Sequence, residues 1–177
     1  TVPAATIISV SDADPDDPGS FNIATNRPLA MSFTTPSQGF TNVTIEAAIA
    51  FPATSGSATI QAFLTRGLGA GTTVSDEVAA TGSILAPMIT PNTPAPLFTL
   101  FTGLALAPIT TYFISVFPVS GGGTASWDGE SPALVTSDFG ATLNTPSFYA
   151  APSIDGTYAP ASTFTLQTFG SGFFTVT

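Results

Sequence analysis

The side chains best suited to chemistry in this sequence are two carboxylates beside its single tryptophan. Trp127, Asp128 and Glu130 lie in the segment SWDGES at positions 126–131. A carboxylate pair is the machinery of glycoside hydrolysis. Two acidic residues two positions apart in a glycine-containing turn are, however, far more often simply solvated, so we expect no catalysis here. Trp127 either stacks on a sugar ring as a ligand contact or, as we favour, is buried with its N–H on a carbonyl.

The three side chains that enzymes use most often as bases and nucleophiles are missing from the sequence. The sequence has no histidine and no cysteine, and its only two basic residues are Arg27 and Arg66, so lysine is absent as well. The usual general base, thiolate nucleophile and Schiff-base amine are therefore unavailable. We expect a protein that is not an enzyme, with no catalytic residue and no organic cofactor.

A second acidic feature favours metal chemistry more than catalysis. Four of the eleven acidic residues fall between positions 12 and 17, and Asp12, Asp14 and Asp16 have the spacing of the first three ligands of a calcium loop. Asp17 stands where that loop has glycine and Ile23 where it has glutamate, so this is not an EF-hand. Two alternatives remain: a looser Ca²⁺ site, or, as we favour, a solvated acidic turn that blocks strand pairing.

A third candidate site is a glycan attachment point. Asn42-Val43-Thr44 is an N-glycosylation sequon. It lies at the start of a predicted strand, and it would carry glycan only in a host that glycosylates.

Charge and hydropathy exclude several classes of partner. With a net charge of −9 and two basic residues, the chain cannot build a phosphate-neutralising patch, so we predict no nucleic-acid binding and no docking on anionic lipid. The most apolar run, Leu97 to Ile109, is cut by threonine, glycine and proline, so we predict no integral membrane segment. A chain that starts at Thr1 fits either a trimmed sequence or, as we favour, a mature product after signal-peptide removal, and we expect it to be secreted or displayed at the cell surface.

The elements that hold these residues are predicted to be strands. Sixteen glycines and sixteen prolines separate short runs rich in Thr, Val, Ile and Phe. Apolar alternation marks strands around 44–51 and 58–65, which we predict to form a hairpin, and one helical turn is predicted over 72–77. The fold class is all-β: a single β-sandwich or jelly roll over 1–177, with about 8–12 short, mostly antiparallel strands. The other predicted strands are Thr6–Val10, Leu29–Thr34, Glu77–Leu85, Leu97–Phe101, Thr111–Phe117, Leu134–Thr136, Thr163–Thr168 and Phe173–Thr177.

Most of the fifteen phenylalanines are expected to fill the core. Alternation places Phe63 outward. Phe173 and Phe174 cannot both face one core if they belong to a continuous strand. An exposed phenylalanine at these positions would mark an interface.

Two stretches carry a family resemblance. Residues 31–45 (MSFTTPSQGFTNVTI) and 110–116 (TTYFISV), the latter followed by Ala125-Ser126-Trp127, resemble the secreted bacterial "choice-of-anchor" surface domains that often accompany a PEP-CTERM sorting tail. The resemblance covers about Leu29 to Trp127 and implies an exported β-sandwich. The sequence departs from the family pattern at Phe113, where tryptophan is common, and we expect no sorting tail after Phe174. No catalytic residue carries over.

Two functions fit these observations. The first is a non-enzymatic structural subunit that self-assembles into an extracellular layer, matrix or filament, with residues 1–20 and 163–177 as strand donors to a neighbouring copy. The alternative is a calcium- or carbohydrate-dependent adhesion module that binds polysaccharide. We favour the structural subunit.

Overall fold

The computed structural model describes residues 5–12, 19–24, 27–52, 56–90, 93–119, 123–144, 148–152, 154, 157–168 and 170–177. Strands make up 56% of the structure and helical turns 4%. In chain order the strands are β1 Ile8–Ser11, β2 Ser20–Ile23, β3 Leu29–Thr34, β4 Phe40–Pro52, β5 Thr59–Thr65, β6 Glu77–Ala80, β7 Ile84–Leu85, β8 Met88–Ile89, β9 Leu97–Leu106, β10 Thr111–Pro118, β11 Ala125–Glu130, β12 Leu134–Thr136, β13 Thr142–Leu143, β14 Phe148–Ala150, β15 Thr165–Gln167, β16 Ser171–Gly172 and β17 Phe174–Val176. The predicted helical turn is a short 3-10 turn at Val74–Asp76.

The strands form two sheets, which confirms the all-β sandwich. In the first sheet the order is β12-β1-β17-β4-β9, because Ile45–Ala47 of β4 pair with β17 on one side and with β9 on the other. Beyond that point β4 pairs with β11, which in turn pairs with β2. The second sheet has the order β15-β14-β3-β10-β5-β6, with β13 beside β3 and β7 beside β5. The jelly-roll form of the sandwich stays a prediction.

The core lies between the two sheets. Phe33 of the second sheet contacts Tyr112 within its own sheet, at 5.7 Å between ring centroids, and Phe174 of the first sheet at 5.9 Å. All three rings are buried. The inward positions predicted for the strand at 44–51 are confirmed, since its apolar alternating residues are all buried: Ile45, Ala47, Ile49 and Phe51.

The predicted hairpin of 44–51 with 58–65 is wrong. β4 belongs to the first sheet and β5 to the second, so the connection between them crosses the sandwich. Both strands do bury their alternating apolar side chains, but they do so from opposite sides of the core. Alternation reveals which face of a strand is buried and not which strand lies beside it.

The outward-facing Phe63 is covered rather than exposed. It stands on the outer face of the second sheet, where Phe117 and Tyr158 meet it edge-on at 5.4 and 5.9 Å. Tyr158 is held there by its hydroxyl, which donates to Oε2 of Glu77 at 2.9 Å. A connection between β14 and β15 therefore covers part of this face, and Phe63 is 7% exposed.

Phe173 and Phe174 are both buried, so neither marks an interface. The reason is that they do not belong to one continuous strand. β16 ends at Gly172 and β17 begins at Phe174, which leaves Phe173 in the break between them. At this break the chain leaves β11 and pairs with β4.

Candidate functional site

The segment that carries Trp127 is a buried strand and not the turn that its composition suggested. In β11, Trp127 pairs with Ile49 of β4 and with Phe21 of β2. The indole is 0% exposed, and its Nε1 donates to the carbonyl oxygen of Phe173 at 2.9 Å. This is the buried arrangement that the sequence favoured. Stacking on a sugar ring would need an accessible indole face, and Trp127 has none in this fold.

Asp128 turns away from the tryptophan and is also nearly enclosed. It is 8% exposed, and its Oδ2 accepts a hydrogen bond from the backbone N–H of Ala95 at 2.6 Å. Burial raises the pKa of Asp128, the Ala95 N–H opposes that rise, and the negative charge of Asp12 adds to it. Glu130, two residues along the strand, is partly buried. Asp128 therefore anchors the backbone at Ala95, and its burial disfavours the charged form of the carboxylate.

Replacing Asp128 by asparagine should make the protein more stable than wild type at pH 7. The raised pKa means that the folded state binds this proton more tightly than the unfolded chain, so the carboxylate lowers stability as pH rises above its ordinary value of 3.8. An asparagine oxygen can still accept from Ala95 without the buried charge. The advantage should disappear below that pH, as measured by urea unfolding from pH 3 to pH 8.

Asp128→Ala is the matched comparison for this prediction. It removes the same charge but leaves the Ala95 N–H without its acceptor, so it should be less stable than Asp128→Asn at every pH. If the free energy of unfolding of Asp128→Asn followed that of wild type at every pH, the raised pKa of Asp128 would be contradicted.

The acidic segment meets this region at its two described ends. Asp12 follows β1 and lies close enough to Asp128 to influence its pKa, and the carbonyl of Gly19 accepts from the N–H of Gly129 at 3.0 Å. Asp14 and Asp16 lie outside the described residues. Within the part of the chain that is described, no three acidic side chains are grouped as metal ligands would be. Calcium binding by Asp12, Asp14 and Asp16 stays a prediction.

Asn42 of the sequon is exposed on β4. It has a positive φ of 58°, at a point where the pairing of β4 with β9 shifts register between Phe40 and Val43. An irregular, solvent-facing position of this kind leaves the side-chain amide accessible. Glycan attachment at Asn42 stays a prediction.

The first sheet has an open edge at β12. Among the described residues this strand pairs only with β1, and Val135 lies opposite Val10. Val10 is buried in the core, so Val135 is on the core-facing side of the sheet, yet it is 41% exposed. Its neighbour Leu134, which lies opposite Ser11 and therefore faces away from the core, is 49% exposed. The core is therefore incompletely covered at this edge.

On the other side of β4, β9 has no second strand partner within the described ranges and forms the opposite edge of the same sheet. Register shifts interrupt its pairing with β4 between Phe40 and Glu46, and the regular pairing runs over Leu97–Thr99. Leu97 is 48% exposed. Neither β9 nor β12 contains a charged residue. Proteins commonly block such edges with lysine, and this sequence has none.

The two terminal segments contribute strands to their own chain. β1 lies between β12 and β17, and β17 lies between β1 and β4. Ile7 and Thr177 add backbone hydrogen bonds at the ends of these strands, to Val176 and to Thr44. The described parts of residues 1–20 and 163–177 are thus largely paired within this chain.

Comparisons with known proteins do not assign the chain to a family. No family model matches it, and no curated protein is significantly similar to it. The described residues include no helix long and apolar enough to cross a membrane.

Proposed function

We propose that this protein is a non-enzymatic structural subunit that assembles with copies of itself outside the cell, through the edges of its first sheet. The observation that carries the proposal is Val135, which faces the core from an edge strand and is still 41% exposed. Covering it with a strand of another copy would bury apolar surface and pair open backbone groups together.

The position of the two edges suggests the mode of assembly. β12 and β9 lie at opposite ends of one sheet. An edge that meets a different edge on the next copy makes a heterologous contact, which continues as a filament or layer unless the rotation closes a ring. Their lack of charge favours this contact, because charged edges repel or need costly desolvation.

The route of association differs from terminal strand donation. Donating β1 or β17 to another copy would first require breaking their pairing with β12 and β4 in the same chain. Edge addition requires no such opening, so the sheet edges replace the chain ends as the proposed contacts. The charge-poor composition, 7% charged residues against about 25% in average proteins, supports a role in assembly.

Replacing Val135 by lysine should weaken self-association by at least about tenfold, because an inward-pointing charge on an edge strand would be buried unpaired in the contact. Sedimentation velocity over a concentration series measures this, and electron microscopy shows whether the wild-type assemblies are filaments or layers.

Val74→Lys is the matched control, since it makes the same change at a position that is 67% exposed and outside the strands. It should associate like wild type. A wild-type protein that remains monomeric at high concentration would remove the proposal, and equal loss in both variants would assign the effect to charge alone.

A further inference from the structure

A cleft of about 600 Å³ opens at the edge of the second sheet. One wall comes from Ala24 and Arg27, after β2, and the other from 150–152 at the end of β14, together with Thr165 and Gln167 of β15. Pockets of this size hold drug-sized ligands. The cleft is separate from Trp127, Asp128 and the edges of the first sheet.

Arg27 gives this cleft its charge. It is one of only two basic residues in a chain with a net charge of −9, yet it forms no ion pair with any residue in the described ranges. Its backbone is fixed by a bridge to Ala24, with the Arg27 N–H donating to the Ala24 carbonyl at 2.9 Å. A guanidinium presents donors in a planar fork that matches a carboxylate.

The facing wall supplies a complementary acceptor. Nε2 of Gln167 donates to Oγ1 of Thr165 at 3.0 Å, and that hydroxyl donates to the carbonyl of Ala150 at 3.1 Å. These hydrogen bonds occupy the NH₂ end of the Gln167 amide and leave its oxygen end available to the cleft. Its Oε1 makes no hydrogen bond within the described residues and can accept one from a ligand.

We propose that the cleft binds a carboxylated sugar residue, with the carboxylate on Arg27 and a hydroxyl donating to Gln167. Ala150 and Ala151 line the apolar side of the cleft but are buried, so the exposed ring of Pro152 is what offers a surface for the C–H face of a sugar ring. A peptide with one acidic side chain is the competing ligand, and the titration below decides between the two. A single cation in an acidic protein suits one carboxylate better than a densely charged polyanion.

The test is calorimetric titration with three probes: a disaccharide containing one glucuronate, the neutral glucose disaccharide of the same linkage, and a blocked dipeptide with one glutamate. The glucuronate disaccharide should bind at least about tenfold more tightly than the other two. Arg27→Gln should weaken its binding by at least about tenfold, because a charge-assisted hydrogen bond pair is lost.

Arg66→Gln is the matched control, since it removes the other exposed cation and should leave binding unchanged. Thermal unfolding of both variants checks that they fold. Equal binding of the neutral disaccharide, no binding of either sugar, or equal loss in both arginine variants would overturn the proposal. Tighter binding of the dipeptide would overturn it in favour of a peptide ligand. Val135→Lys should bind the sugar normally, which separates this site from the assembly proposal.

Discussion

Replacing Trp127 by alanine is expected to lower the free energy of unfolding by about 4 kcal/mol. The side chain is fully buried between the sheets, and its removal leaves a cavity that the surrounding strands cannot fill without moving. The substitution also takes away the indole donor to the Phe173 carbonyl. Urea unfolding followed by far-UV circular dichroism measures the loss, because the variant has no tryptophan fluorescence.

Trp127→Phe separates packing from hydrogen bonding. The Phe173 carbonyl also accepts from the N–H of Ala48 at 3.0 Å, so it keeps one partner when the indole is removed. The phenylalanine variant should therefore lose about half as much stability as the alanine variant or less. Phe139→Ala, a truncation of a ring that is 38% exposed, should cost about 1 kcal/mol.

The same residue tests the sugar-stacking alternative. A buried indole should be poorly quenched by acrylamide, and its emission should not change when saccharides are added. A Trp127→Ala protein with wild-type stability, or strong quenching of the native protein, would show that the tryptophan is accessible after all.

Strands with a continuous apolar pattern could be predicted closely from the sequence. Leu29–Thr34 and Leu134–Thr136 begin and end where predicted. The first is bounded by Pro28, and the second follows Pro132 after one residue. Proline fixes φ and lacks an N–H, so such boundaries are local properties. Inward positions such as Ile45 and Ile60 were likewise predictable, because alternation is local too.

β11 was missed because its own residues argue against a strand. Asp128 and Gly129 are both depleted in strands. What makes the segment a strand is its surroundings: β2 and β4 pair with it, and Ser171–Gly172 approach it closely. None of these neighbours is near in sequence, so the local pattern contains no sign of them.

The candidate sites depended on long-range geometry in the same way. The sequence offered Arg27 only as one of two cations, and nothing near it pointed to Gln167, which lies across the cleft. The useful signal was the rarity of basic residues, since an arginine in an acidic chain that forms no ion pair within the described ranges needs an explanation. The open edge at Val135 was hidden because an apolar residue between Leu134 and Thr136 is equally typical of an internal strand.

Substituting Gly129 by alanine is expected to lower the free energy of unfolding by about 3 kcal/mol. A Cβ at this position would collide with the backbone oxygen of Ser171 and come within 2.8 Å of Cα of Gly172. These are backbone atoms of β16, which pairs directly with β11, so neither can move without breaking the pairing that holds the C-terminal strands. Urea unfolding gives the change in stability.

Two further variants identify the cause of that loss. Gly82→Ala adds the same methyl group where nothing lies within 4 Å and should change stability by less than about 1 kcal/mol. The ring of Phe21 also stands 2.8 Å from the added Cβ. If the backbone collision is decisive, Phe21→Leu will not restore a Gly129→Ala protein, because a smaller side chain leaves Ser171 and Gly172 where they are. Recovery in that double variant would instead place the strain on a movable ring, and the close approach of β16 to β11 would then not be what requires glycine.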